Sequence, residues 1–567
     1  MIGDRIKSSL ILLCLVGMIG SLNANSPENV IKDIQTKVSG TLIGHKGLLA
    51  VPIMRNEFMP NPIMGVGVSY DGKVYVTETT RQQREEISLI QSPFLHEKDM
   101  ELISTKAKRD WIIKNYSPRI AARQGVRDYN GDGRVDIKDL SVRSEKIYTL
   151  HDQNADGVFD KATLFADGFN NVLTGVAHSV TPIGGHVYTT IIPDLWKLTD
   201  TNGDGMADSR ESIVHGFAPH IGYGNHDLHS IVQGYDGKIY WSMGDRGLNV
   251  LTKEGNRVSN PHSGCILRCN PDGSEFEVFA TGLRNCQYFD FDNYGKIFAI
   301  DHDADFQGER ERLVYLPEGS DSGWRMYYQY RNTTLVKAAR DDLYNPWLAE
   351  KMWLPFHGGQ PSHLLPAIEN SWNAPAAFSF QPGVALAGAF RNHFLLGGMG
   401  NIRAFKMIAD GAGFKREGNH ILIQGLGAQV LTSAFGPDGR LYFTLWRPSR
   451  GMSQLWTLQA TNHTQEMIHV KEILAKDPKQ KNVDKLLELL GHTDRRIRQQ
   501  AQFALVARGE IKAAPPTKAD AKIQFPRLPG SGGRAATPPP KNNNMPPVTQ
   551  SWPSNSSNSD CKAMGER

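Results

Sequence analysis

Three segments of the chain carry oxygen-bearing side chains at alternating positions and a glycine at position 6, which is the spacing of a calcium-binding loop. The fullest example covers residues 200–211 and ends on a glutamate able to bind a cation through both carboxylate oxygens. Calcium takes about six to eight oxygen ligands, and this pattern supplies them around a sharp turn. The predicted ligands, counting the backbone carbonyl at position 7, are Asp200, Asn202, Asp204, Met206, Asp208 and Glu211.

The other two segments follow the spacing less completely. One ends on Asp139 in place of the final glutamate, and the other has Thr163 at that position. Their predicted ligands are Asp128, Asn130, Asp132, Arg134 (position 7), Asp136 and Asp139 in one, and Asp152, Asn154, Asp156 and Asp160 in the other. Surface turns that hold no metal are the alternative. Residues 187–192 and 213–214 have the pattern of strands, so we expect ions that stabilise hairpins and not a helix-based sensor switch.

A second group of residues could carry acid–base chemistry. Histidine, carboxylate and arginine side chains are concentrated in residues 225–229 and 244–246, in residues 283–287, and in residues 301–305 and 309–312. A histidine beside carboxylates can act as a general base near neutral pH, and a neighbouring arginine can hold an anion. For any single residue, hydrogen bonding between structural units is the alternative, but the recurrence of the runs favours a site.

The elements that would position these residues are strands. A Gly-containing turn followed by an alternating apolar strand recurs at residues 71–76, 184–188, 236–241, 294–298, 392–396 and 438–443. Where no insertion intervenes, the repeat is about 50 residues, the length of a four-stranded propeller blade. We therefore predict an all-β, six-bladed β-propeller over residues 40–460, with a β-sandwich or two β-domains as the alternative. In a propeller, the polar runs would meet around the central opening.

Two stretches depart from the repeat. An insertion at about residues 95–165 contains the acidic loops at Asp128 and Asp152 and a helical pattern over residues 97–114. Residues 465–512 have apolar side chains at helical spacing and are predicted to form short HEAT-like helices that pack on the propeller or on further repeats. Residues 513–567 are rich in Pro, Asn and Ser, so a disordered tail is predicted.

The first residues predict export. Arg5 and Lys7 precede an apolar run over residues 10–19, and Ala24 lies at a suitable cleavage point, so residues 1–24 are read as a signal peptide. A membrane anchor is disfavoured, since about ten apolar residues cannot span a bilayer that needs roughly 20. The mature chain is predicted to be periplasmic or extracellular, with no transmembrane segment. The net charge of +4 does not indicate a basic surface for binding nucleic acid.

The cysteines predict no covalent haem site, because the chain contains no CxxCH motif. Cys265 and Cys269 lie four residues apart in a predicted strand, which is too far for a disulfide. We therefore expect them to be buried free thiols.

Residues 225–245 resemble, without a gap, the segment of soluble quinoprotein glucose dehydrogenases that carries the catalytic histidine, which places His226 on that base. Residues 282–287 resemble the arginine–asparagine pair that holds pyrroloquinoline quinone (PQQ) in those enzymes. The resemblance implies that the base takes the proton of a sugar hydroxyl while hydride passes to the quinone, whose calcium acts as a Lewis acid. It implies His226, Arg284 and Asn285 as catalytic residues, and Arg284, Asn285, Gln287 and Asp245 around the cofactor.

A wider set of motifs, at residues 165–169, 244–247, 269–273, 279–285 and 322–325, resembles the PVC-type bacterial proteins described as membrane-bound dehydrogenases with a C-terminal haem-binding domain. The resemblance covers roughly residues 56–458 and the beginning of that family's HEAT region. It implies a propeller related to the glucose and sorbosone dehydrogenases. Since the haem motif is missing from this sequence, a separate cytochrome is the expected electron acceptor.

Three functions are compatible with these observations. The first is a quinone-dependent sugar or alcohol dehydrogenase in which His226 is the base. The second is a propeller that binds carbohydrate or a partner protein without turnover. The third is a calcium-dependent, lactonase-like hydrolase, which would need a metal held by side chains such as Glu78, Asp245 and Asp301 near the central opening. Loss of dye reduction on replacing His226 would separate the first from the second.

Overall fold

The structure is a computed structural model that describes residues 43–54, 59, 61–82, 85–302, 309–326, 346–361, 363–372, 375–447 and 452–510. These residues form mainly β-structure with a few helices. Strands begin after tight Asp-Gly or Tyr-Gly turns whose glycines have φ between 77° and 94°, a left-handed conformation that other residues rarely adopt. The glycines in question are Gly72, Gly237, Gly295 and Gly439.

Two short strands, β1 (Ile43–Gly44) and β2 (Leu48–Pro52), open the described chain. Four four-stranded antiparallel sheets follow. The first contains β3 (Ile63–Val68), β4 (Val74–Glu78), β5 (Glu145–His151) and β6 (Lys161–Phe169), and the second contains β7 (Ala177–Ile183), β8 (His186–Ile191), β9 (Asp194–Thr199) and β10 (Ser209–His215). The third contains β11 (Leu228–Gln233), β12 (Ile239–Met243), β15 (Gly264–Cys269) and β16 (Glu277–Leu283), with β13 (Leu248–Leu251) and β14 (Arg257–Asn260) paired separately. The fourth contains β17 (Cys286–Phe291), β18 (Ile297–Asp301), β19 (Glu311–Tyr315) and β20 (Glu369–Trp372).

A seven-stranded sheet completes the β-structure. It contains β1, β2, β21 (Phe378–Phe380), β22 (Phe394–Asp410), β23 (Gly413–Phe435), β24 (Leu441–Arg447) and β25 (Met452–Ala460). Strand β2 pairs with β25, from Leu48 opposite Ala460 to Pro52 opposite Trp456. The beginning and the end of the sheet region are therefore joined by backbone hydrogen bonds.

The innermost strands form a closed ring. Strand β3 contacts β7, β7 contacts β11, β11 contacts β17, β17 contacts β21, β21 contacts β23, and β23 contacts β3. Residues of these strands line a central cavity of about 230 Å³. This arrangement is a mainly-β propeller with a few C-terminal helices, which confirms the prediction of a β-propeller. The six predicted repeat strands are also confirmed, and they form β4, β8, β12, β18, β22 and β24.

Short helices fill the insertion between β4 and β5. They are α1 (His96–Met100), α2 (Thr105–Asn115) and α3 (Pro118–Arg123). The helical pattern predicted over residues 97–114 is thus two helices, because Ser104 accepts a hydrogen bond from Ala107 N–H and begins α2 anew. A further short helix, α4 (Pro346–Ala349), lies between β19 and β20. Apolar residues of the insertion, among them Leu95, Ile112 and Ile120, form one core cluster with Leu173 and Ile221 of the later chain.

Three helices follow the last strand: α5 (Gln465–Leu474), α6 (Val483–Leu489) and α7 (Arg495–Ala507). Helix α7 lies across the carboxyl ends of the inner strands, where Arg495 N–H donates to Pro382 O and Gln499 donates to Gln233 O. Arg495 and Gln499 also line the central cavity. Helix α7 therefore closes the cavity at the end where the inner strands finish.

Some predictions fall on residues outside the described part of the chain. These are the signal peptide, the Pro/Asn/Ser-rich tail and Asp303 to Asp305 of the third polar run. Cys265, Cys269 and Cys286 are buried free thiols. In the part of the chain that is described, every helix is too short or too polar to cross a lipid bilayer.

Candidate active site

The candidate site is built around His226 and Asp245. His226 precedes β11 and Asp245 follows β12, and the antiparallel pairing of Leu228 with Met243 brings the two side chains together. His226 Nδ1 lies 2.7 Å from Asp245 Oδ1, with both residues buried. Gly244 is needed between them, because a Cβ atom there would lie 2.6 Å from the backbone carbon of His226.

This contact fixes how the imidazole can react. An acceptor at Nδ1 keeps a proton on that nitrogen, so Nε2 is the atom that can take a proton from a ligand. The carboxylate also stabilises the imidazolium that forms when it does. The pair thus has the arrangement of a general base with its orienting carboxylate.

Arg284 and Asn285 lie beside this pair, just before β17. Asp245 N–H donates to Arg284 O at 2.8 Å, which joins the two runs of polar residues. The Arg284 and Asn285 N–H groups both donate to Asp301 Oδ1, at 3.0 and 2.9 Å. The guanidinium of Arg284 donates to His302 O at 3.0 Å. The structure therefore brings together the predicted base and the predicted cofactor-binding residues.

An uncharged polar cluster adjoins the site. His178 and His229 stack edge to face with ring centres 4.0 Å apart, Asn225 Nδ2 lies 3.4 Å from His178 Nε2, and Asn285 Nδ2 donates to Asn225 O. Burial lowers the pKa of His178 to about 3 and that of His229 well below its usual value, so both rings are neutral. In the described structure, several of their buried polar atoms have no hydrogen-bond partner: His178 Nδ1, His229 Nδ1, Asn225 Oδ1, Asn285 Oδ1 and Gln287 Oε1.

The unpaired polar atoms of this cluster test whether a quinone could bind beside His226. Buried polar groups almost always have partners, so a group of unpaired ones marks a place for water or a polar ligand. The unpaired amide oxygens accept hydrogen bonds and suit hydroxyl or N–H donors of a ligand, whereas an imidazole N–H can donate to a quinone carbonyl and Arg284 suits an anionic substituent. The residues present therefore fit such a cofactor next to His226.

Other members of the polar runs form ion pairs. Arg246 lies between Asp227 and Glu86, donating to Asp227 and, at 2.6 Å, to Glu86 Oε1. Lys108 of α2 donates to Ala218 O at 3.1 Å, and burial lowers its pKa to about 7. These groups attach the insertion to the propeller beside the site.

The carboxylates of the hydrolase hypothesis do not come together. Glu78 accepts hydrogen bonds from Asn61, and Asp301 forms a buried ion pair with Arg312. Among the residues that the structure describes, no three His, Cys, Asp or Glu side chains are grouped as metal ligands. Nothing in this arrangement favours a three-carboxylate metal centre.

The three acidic loops share one local conformation. In each, the glycine N–H at position 6 donates to the first aspartate: Gly133 to Asp128 at 2.9 Å, Gly157 to Asp152 at 2.7 Å, and Gly205 to Asp200 at 3.0 Å. The loops at Asp152 and Asp200 join β5 to β6 and β9 to β10, which are hairpins as expected. The loop at Asp128 is not a strand connection, because it runs into a 3₁₀ helix, Ile137–Ser141, that Asp136 and Asp139 cap.

In two of the loops, the carboxylate that accepts a hydrogen bond from the N–H of the second loop residue occupies different positions. Asp139 accepts from Tyr129 N–H at 2.8 Å, as position 12 of its loop. In the loop at Asp200, however, Asp208 takes this place, accepting from Thr201 N–H at 2.7 Å, while Glu211 lies in β10 with Oε1 3.4 Å from Lys253 Nζ. Calcium binding by the loops stays a prediction.

Two site residues received no role from the sequence alone. Trp324 donates from Nε1 to Asp245 Oδ2 at 2.9 Å, and His178 forms the stacked pair with His229. Trp324 lies in the motif at residues 322–325, but its partner is remote in sequence. His178 is the second residue of the inner strand β7, and this position near the start of an inner strand was the only sequence feature that could have indicated it.

Comparison with known proteins gives a family and several structural likenesses. No curated protein matches the sequence significantly. A glucose dehydrogenase-like oxidoreductase of Thermus thermophilus is 14% identical, covering 73% of this chain and 100% of that one at a TM-score of 0.43. The PQQ-bound aldose sugar dehydrogenase of Streptomyces coelicolor is 13% identical, covering 74% and 99% at 0.42.

The PQQ domain of the pyranose dehydrogenase of Coprinopsis cinerea is 11% identical, covering 74% and 97% at a TM-score of 0.41. Likenesses this distant carry no argument about activity. The sequence comparison is more direct, because residues 69–446 match a single family, DUF7133. The chain therefore belongs to the DUF7133 family, which is defined as a domain of unknown function.

Proposed function

We propose that this protein is an exported oxidoreductase that oxidises a sugar or another alcohol, with His226 as the general base and a quinone as the electron acceptor. The observation that carries the proposal is the His226–Asp245 pair, buried beside Arg284 and Asn285 where the inner strands β11 and β17 begin. A buried base next to an arginine and unpaired amide groups suits proton removal from a bound alcohol.

The chain's own residues account for the proton. His226 Nε2 accepts the hydroxyl proton of the alcohol, and Asp245 stabilises the charged ring. Arg284 and Asn285 would hold the quinone by its anionic and carbonyl groups. When bound, the quinone supplies the acceptor for two electrons and one proton, transferred as hydride. The alcohol carbon, having lost hydride and its hydroxyl proton, becomes a carbonyl carbon.

The finer features of the proposal follow from the sequence and the inner ring. Six inner strands in one closed cycle support a six-bladed propeller in which the seven-stranded sheet makes up two blades. The acidic loops would bind calcium as structural staples in the periplasm or outside the cell. PVC-type membership and a separate cytochrome as the final acceptor belong to the same proposal.

The experiment is dye reduction by purified protein loaded with calcium and PQQ, tested on a panel of sugars and alcohols. His226→Ala should abolish turnover. His215→Ala is the matched control, because His215 Nδ1 also lies 2.7 Å from a carboxylate, that of Asp194. Equal activity in wild type and His226→Ala would reject the role of His226.

A second function is favoured by one observation, the uncharged cluster of His178, Asn225, His229 and Asn285 with its unpaired polar atoms. Such groups suit the hydroxyls of a carbohydrate bound without turnover. This function predicts saturable sugar binding by calorimetry, with no dye reduction, that survives His226→Ala. Turnover that requires His226 would reject it.

A further inference from the structure

Trp324 is buried at the boundary between two sheets. It follows β19 of the fourth sheet, and its N–H donates to Gly282 O at 2.9 Å, which fixes the backbone at the end of β16. Its indole Nε1 reaches Asp245 Oδ2 at 2.9 Å. Both residues are buried. The indole therefore meets the carboxylate on the oxygen that His226 does not use.

The same indole faces the other half of the site. The guanidinium carbon of Arg284 lies 5.8 Å from the centre of the Trp324 ring, within the range of a cation–π contact. Trp347 packs edge-on against Trp324 with ring centres 5.1 Å apart, and its own Nε1 donates to Glu309 Oε1 at 2.7 Å. Trp347 thus packs against the Trp324 ring, which itself contacts both Asp245 and Arg284.

A carboxylate held by both oxygens cannot rotate without breaking a buried hydrogen bond. We propose that Trp324 is a positioning residue that fixes the Asp245 carboxylate and, through it, the Nδ1–H tautomer of His226. The catalytic consequence rests on the proposed oxidoreductase function. The tautomer itself does not, because it is a property of the protein without quinone or substrate.

The alternative is that Trp324 only fills space. Trp324→Phe separates the two, because it keeps an aromatic ring but removes the N–H. Trp347→Phe is the matched control: it makes the same change one ring away and removes an N–H that serves Glu309 instead of Asp245. If Trp324→Phe does not fold, benzothienylalanine at position 324 replaces the N–H by sulfur and keeps the shape of the ring.

The readout is the ¹⁵N spectrum of the His226 ring in selectively labelled protein, assigned with His226→Gln and recorded at a pH where the imidazole is neutral. Wild type and Trp347→Phe should show the Nδ1–H tautomer. Trp324→Phe, or the sulfur analogue, should lower the ratio of Nδ1–H to Nε2–H by about fivefold, as expected for the loss of one hydrogen bond. An unchanged ratio in a folded variant would overturn the proposal.

Turnover provides a second readout. In Trp324→Phe, kcat should fall at least about tenfold with KM changed less than about twofold, because the base is misoriented while the binding groups stay. If the protein oxidises no substrate, the tautomer of His226 can still be measured, because that measurement needs neither quinone nor substrate. The failure of the oxidoreductase function and the failure of this inference therefore give different results.

Discussion

His226 Nδ1 lies 2.7 Å from Asp245 Oδ1, and the two side chains reach each other because they extend from paired ends of β11 and β12. The distance is that of a strong hydrogen bond between an imidazole and a carboxylate. Both residues are buried, so the pair is shielded from water and its geometry is fixed by the sheet. The acid–base chemistry proposed for this protein depends on this contact.

Asp245→Asn should reduce kcat on the order of 10²–10⁴-fold, because an amide neither enforces the Nδ1–H tautomer nor stabilises the imidazolium. Steady-state dye reduction measures the effect. Asp194→Asn is the control, since Asp194 pairs with His215 in the same way outside the site. Comparable activity in both variants would refute the role given to Asp245.

Stability should fall in mild acid because of the buried histidines. Burial lowers the pKa of His178 to about 3, whereas the unfolded chain has a histidine pKa of about 6.5. The stabilisation is thus fully present above about pH 6.5 and is lost as the pH falls towards 3, at up to about 1.4 kcal/mol per pH unit. Urea unfolding at pH 7 and pH 5 should show a smaller loss for His178→Gln, which cannot titrate. Equal losses of stability in wild type and His178→Gln would show that His178 is not the titrating group.

Helix α7 should contribute strongly to the stability of the propeller. Arg495 donates to both carboxylate oxygens of Asp290, at 2.8 and 2.9 Å. Arg495→Ala should lower the free energy of unfolding by about 3–5 kcal/mol, since it leaves a largely buried carboxylate unpaired. Adding Asp290→Asn should recover part of the loss, as judged by chemical denaturation. Independent, additive effects would show that the pair is not coupled.

The acidic loop at Asp200 should bind calcium through a different set of residues from that predicted by spacing. Because Asp208 folds over the loop and Glu211 lies beside Lys253, Asp200→Ala should remove the site, whereas Glu211→Ala should change its calcium affinity less than about threefold. Calorimetry on chelator-treated protein measures both. A large loss in Glu211→Ala would restore the spacing-based ligand set.

Strand positions were predictable from sequence because each repeat carries its own turn glycine and alternating pattern. The runs containing His226 and Arg284 were predictable as neighbours, since equivalent ends of inner strands meet in a propeller. The contact of Trp324 with Asp245 was not, because it joins residues 79 positions apart through a side chain that also suits a core. Helix α7 was predictable as a helix, but the spacing of its apolar residues does not show that its polar face lies on the propeller.

The single helix predicted over residues 97–114 is two helices, α1 and α2, and the cause is local and not visible in the spacing of apolar residues. Ser104 caps α2 and stops the pattern at residues 97–114 from forming a single helix. Likewise, the loop at Asp128 leads into a 3₁₀ helix because Asp136 and Asp139 cap it. In both places short-range side-chain-to-backbone hydrogen bonds override the wider pattern.

The most direct test is the titration of PQQ into the purified, calcium-loaded chain, followed by absorbance. A saturable spectral change is expected in wild type and in His226→Ala, because the base is not needed for binding. Weakened uptake is expected in Arg284→Ala, which would lose a cationic contact to the cofactor. No saturable change in the wild-type protein would contradict the quinone-dependent function.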